Sequence, residues 1–125
     1  MSAQQQLLSR FMTGASLEVH GSALGNSGNV GQSLESWGDV IPRGTHISVP
    51  FGQGDEFDDL IDLCVEFKIA GYNPEPHICA RRLSVEQIKI GLDRLVRNDV
   101  SRILLLGGDP GYNDYVHFTS SMDVL

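Results

Sequence analysis

The chain has 125 residues, with 16 acids against nine lysines and arginines, a net charge of −7 and 41% apolar residues. That length makes one domain or part of a larger one, with enough apolar content for a packed core and no need of a disulfide scaffold. The acidic balance, with Arg81-Arg82 as its only adjacent basic pair, excludes a protein that coats nucleic-acid phosphates. No stretch approaches the roughly 20 apolar residues of a membrane span. Met1 to Phe11 lacks the basic region and apolar run of a secretory signal. Cys64 and Cys79 lie in separate apolar segments outside any CxxC pattern, which fits a reduced cytoplasmic protein.

In chain order, a helix is expected near Ala3 to Met12, then a short strand from Ser16 to Val19. Gly21 to Gly44 holds six glycines and reads as a loop with a short helix around Gln32 to Trp37. A second strand is expected at His46 to Phe51. A helix follows from about Asp55 to Ala70, with Phe57, Leu60, Ile61 and Cys64 at helical spacing. Asp55, Glu56, Asp58 and Asp59 crowd its start, where the helix dipole favours negative charge, and Gly71 suits a C-terminal cap. The third strand, Glu75 to Ala80, is weakened by Pro74 and Pro76. Val85 to Arg97 is predicted as a helix opened by a Ser84–Gln87 capping box. Val85, Ile88, Leu92, Leu95 and Val96 form its apolar face, and Asn98 can close it. The fourth strand, Arg102 to Leu106, is continuously apolar from Ile103, which suits a parallel strand covered on both faces.

Strand starts near 16, 46, 75 and 102 give a period of about 28 residues, the size of a strand–helix unit in a parallel α/β fold. Two architectures accommodate four such units: half of a (β/α)8 barrel, which needs eight, or a small open doubly wound sheet. The latter usually carries a glycine fingerprint at its first turn, which Gly21 to Gly28 does not match.

In either architecture, functional groups gather at the carboxyl ends of the strands. Those ends offer Glu18 and His20, then Pro50-Phe51-Gly52, then His77 to Arg82, then Gly107-Gly108-Asp109-Pro110. Asp109 follows two glycines that let a ligand approach the backbone, although Gly-Gly-Asp-Pro-Gly is also ordinary turn chemistry. Glu18 is a buried general acid if it points inward and a solvated residue if it points outward. His77 is read as a hydrogen-bonded structural group or a ligand contact, and Cys79 as a small buried apolar group. Arg81 and Arg82 either meet a phosphate or stand solvated before the helix. His20, His46, His77 and His117 have no zinc-like spacing.

The stretch FDDLIDLCVEFKIAGYNPEPHICARRLSVEQIKIGLDRLVRNDVSRILLLGGDP resembles the second to fourth units of the methylenetetrahydrofolate reductase family, whose fold is an FAD-containing (β/α)8 (TIM) barrel. SLEVHGS is similar to the family's first strand, and the resemblance covers about residues 14 to 125. It implies that residues 1–125 are a partial barrel domain, about half of the whole, with NAD(P)H as hydride donor and 5,10-methylenetetrahydrofolate as substrate. Glu18 would be the general acid that opens the folate ring. Asp109 would lie between flavin and pterin. Pro50, Phe51, Gly52, His77, Cys79 and Gly108 would border or bind FAD. The chain departs from the family pattern at Val19-His20-Gly21, at Pro50 and at Gly107. The alternatives are a folate-dependent methyltransferase or demethylase on the same scaffold, and a non-catalytic barrel half. A half-barrel has two open strand edges, so the chain on its own is expected to form a homo-oligomer, to pair with a complementary half, to aggregate, or to bind FAD poorly.

Overall fold

The computed structural model of the chain describes residues 2–21, 34 and 36–107. Helix α1 (Ala3–Thr13) leads into strand β1 (Ser16–Glu18). Leu34, Ser36 and Trp37 are helical, and the rest of the helix expected around them lies outside the described residues. Strand β2 (His46–Val49), helix α2 (Phe57–Ile69) and strand β3 (Asn73–Cys79) follow. A 3-10 turn (Ala80–Arg82), helix α3 (Val85–Arg97) and strand β4 (Leu104–Leu106) complete the described chain.

The four strands form one parallel sheet in the order β1-β2-β3-β4. The strand order does not reverse, so the described sheet has no topological switch point of the doubly wound kind. A single apolar core joins Ile47, Val49 and Ile78 of the sheet to Leu60, Ile61 and Phe67 of α2 and Ile88 and Leu95 of α3. Both helices therefore cover the same face, as right-handed crossovers between sequential neighbours require.

β3 is longer than its two prolines suggest, and their placement explains why. The Asn73 N–H donates to Thr45 O on the β2 side at 3.0 Å. By strand alternation, the nitrogens of Pro74 and Pro76 then face the β4 side. β4 pairs only with His77 to Cys79, so neither proline breaks a ladder bond. The same fact shortens β4, which begins at Leu104 rather than Arg102.

Among the described residues, β4 is covered on one face only. Leu105 is half-buried, but Ile103, Leu104 and Leu106 are 40%, 40% and 38% exposed. α2 and α3 lie on the Leu105 face.

Helix α3 spans the expected residues, and both halves of its capping box are present: Ser84 Oγ accepts from Gln87 N, and Gln87 Oε1 from Ser84 N. Its buried stripe is narrower than the sequence suggested. Ile88, Gly91 and Leu95 are buried and Leu92 half-buried, whereas Val85 and Val96 are exposed. A Cβ at Gly91 would lie 2.5 Å from the Phe57 ring, so the two helices come close together at that point.

α2 and α3 stop in the same way. At the end of α2, Gly71 has φ +95° and Tyr72 N–H reaches back to Phe67 O. At the end of α3, Asp99 has φ +60° and Val100 N–H reaches back to Leu95 O. Both are Schellman stops with an apolar contact across them. In the second, an aspartate occupies the left-handed position beside Asn98, the residue expected to close the helix.

Candidate functional site

Strand alternation sorts the sheet into two faces. On β2 and β3, Ile47, Val49, Pro74, Pro76 and Ile78 face the helices and are buried. His46, Ser48, Asn73, Glu75, His77 and Cys79 face the other way. On β1, Leu17 is half-buried and Glu18 exposed, which puts Glu18 on the open face. The register aligns Glu18 with Ser48 and Ser48 with Glu75, and one level higher aligns His77 with Leu104. Glu18 and His77 thus share a face, two strands apart, or roughly 10 Å laterally from ordinary strand spacing.

Glu18 is exposed on the open face. Its side chain is 59% exposed, and one carboxylate oxygen lies 3.2 Å from Nε2 of His20. His77 is half-buried on the open face, and its imidazole has no hydrogen-bond partner among the described residues. Cys79 is half-buried on the same face, one level beyond His77. It packs against the apolar core from that face. Cys64 lies opposite, fully buried on α2, where loss of hydration pushes its thiol pKa up to about 12.

The segment after β2 is built around Arg82. Its guanidinium donates to Phe51 O at 2.9 Å, Gly52 O at 2.8 Å and Asp55 O at 3.1 Å. It also stacks on the Phe51 ring, 3.6 Å from the centroid. Phe51 is buried against Phe57, while Pro50 and Gly52 are half-buried. The Asp55 carboxylate accepts from Gly52 N–H at 2.7 Å. Asp55 is therefore a loop-closing residue, not a dipole partner inside the helix, and α2 begins two residues later. Arg82 is half-buried, and its charge meets three carbonyl oxygens.

At the far end of the sheet, Arg81 N–H donates to Gly107 O at 3.1 Å, tying the end of β3 to the segment after β4. Gly108 and Asp109 lie outside the described residues, as does His117. Two groups of interest escaped the sequence reading. Glu75 shares the level of Glu18 on the open face and pairs with Arg102 at 3.3 Å; Arg102 in turn stands 3.5 Å from Nδ1 of His46. The available signal was alternation along β3, since Glu75 lies two residues before His77 and must share its face.

Among the described residues, no three His, Cys, Asp or Glu side chains are grouped to hold a metal ion, and no helix is long and apolar enough to cross a membrane. A comparison with protein-family models finds no match for the chain.

Proposed function

We propose that this chain contributes strand–helix units to a (β/α)8 barrel that reduces 5,10-methylenetetrahydrofolate to 5-methyltetrahydrofolate with FAD and NAD(P)H. The observation that carries this reading is that Glu18 and His77 share the open face of a parallel sheet whose strands run in sequential order. Sequential order with helices on one face suits a barrel wall, and the open face would then be the barrel interior. The motif resemblance supplies the chemistry.

The residues present suit one wall of a flavin seat. His77 has an imidazole without a partner among the described residues, free to donate to or accept from a ligand. Pro50, Phe51 and Gly52 form a rim whose polar backbone groups are largely satisfied by Arg82 and Asp55, leaving an apolar border beside the strand ends. Cys79 would stand next to His77, and Gly108 and Asp109 would continue the wall after β4. The chemistry supplied by bound flavin is hydride transfer from NAD(P)H to the methylene carbon. Glu18 would hold at its carboxyl the proton that opens the folate ring, with His20 orienting it from 3.2 Å. Completion of the barrel would exclude water from that carboxyl and cover Leu104 and Leu106.

The test is to purify the protein with whatever assembly it forms and to measure bound flavin and folate-dependent NAD(P)H oxidation. Flavin binding, with activity lost in Glu18→Gln, is expected. Absence of flavin from every assembly, or undiminished activity in Glu18→Gln, would sink the reading. Methyl transfer without flavin would point instead to the folate-dependent methyltransferase alternative.

A further inference from the structure

We propose that Arg82 is a positioning residue that presets the shape of the β2–α2 rim before any ligand arrives. This inference rests on the flavin reading only for what the rim would border; the latch itself rests on geometry. Backbone carbonyls at the carboxyl end of a parallel strand point outward with no ladder partner, so a loop there is held by side chains, by water or by a ligand. Here one guanidinium meets three of them, those of Phe51, Gly52 and Asp55. Its Cζ lies 3.6 Å from the Phe51 ring centroid, and the ring supports the fork. The N–H of Gly52 is taken by the Asp55 carboxylate, and Asp55 N–H turns back to Gly52 O.

The loop is thus closed from two directions. Asp55 closes it locally, and Arg82 reaches across from the end of β3. Arginine is required because its planar fork serves several acceptors at once, whereas a lysine ammonium is a compact charge with a different geometry. Gly52 is part of the same device, since a Cβ there would lie 2.8 Å from the Asp55 carboxylate. The arrangement also disfavours a phosphate on this loop. Its N–H at Gly52 is occupied, and the nearby cation is already committed to carbonyl oxygens.

The experiment compares the full-length chain with Arg82→Lys, Arg82→Ala and Asp55→Asn by amide hydrogen exchange, with thermal melting as a control for folding. In Arg82→Ala, exchange over residues 50–57 is expected to rise at least tenfold, while residues 88–97 of α3 keep their protection. Arg82→Lys is expected to fold as well as the parent and still to loosen the loop. Millimolar ethylguanidinium should restore slow exchange in Arg82→Ala and leave Asp55→Asn unchanged. Unaltered exchange over 50–57 in both Arg82 variants overturns the proposal, as does loosening that ethylguanidinium does not reverse. The flavin content of the purified assembly decides the flavin reading separately. Absence of flavin from every assembly defeats that reading, and the exchange data still decide the latch.

Discussion

The two faces of this sheet are made by the same four strands, yet they differ in almost every physical respect. The helix side is a continuous apolar core in which Ile47, Val49, Phe67 and Ile78 have no exposed surface. The other side carries Glu18, Ser48, Glu75, His77 and Cys79, together with two leucines of β4 that remain in contact with solvent. One face is built for stability. The other is a half-polar surface with an apolar margin. Function is therefore sought on the side that contributes least to folding.

That contrast can be broken most severely from the helix side. Phe67→Ala removes a fully buried ring that packs against Tyr72 and Trp37. It should cost about 3–5 kcal/mol in urea unfolding, enough to unfold much of a small domain. Alkaline pH probes the same core through Cys64. Its thiol stays protonated in the fold until about pH 12, against an ordinary value of 9.0. The unfolded chain thus loses that proton first as pH rises. The stabilisation is complete below pH 9 and declines above it, by up to about 1.4 kcal/mol per pH unit. Cys64→Ala should show a shallower decline between pH 9 and 11 in denaturation curves.

Smaller changes test the helix contacts. Gly91→Ala gains helix propensity of about 1 kcal/mol but drives a methyl into the Phe57 ring, and overpacking of about 1–3 kcal/mol should leave the variant less stable on balance. Asp99→Gly should do the opposite. It relieves a non-glycine residue at φ +60° and should stabilise by roughly 0.5–1 kcal/mol, read as a higher melting temperature. The least effect on folding belongs to the open face. Leu106→Ser should change the stability of a monomeric chain by no more than about 0.5 kcal/mol while reducing self-association in sedimentation. A large loss of stability there would mean that the face is already covered in solution.

Much of the fold was legible because its signals are local. The capping box at Ser84 and the α3 boundaries follow from hydrogen bonds within one turn. The Gly71 stop follows from a conformation that glycine adopts without strain. Strand lengths were less legible. Whether Pro74 and Pro76 harm β3 depends on which neighbour their nitrogens face and on where β4 starts, and no property of the residues themselves carries that information. The site divides in the same manner. Glu18 and His77 were picked out as groups at strand ends, but their common face depends on the pairing register. Arg82 was visible as one of an adjacent pair, yet its partners lie 27 to 31 residues earlier in the chain.

By itself, the sequence determined the alternation of strands and helices, the helix stops and the identity of the polar groups at strand ends. These depend on periodicity and on bonds between near neighbours. Only the tertiary structure decided that both helices cover one face, that β4 is exposed on the other, and that Arg82 closes the β2 rim. Those outcomes depend on strand order and long-range register, which are settled by packing between distant segments.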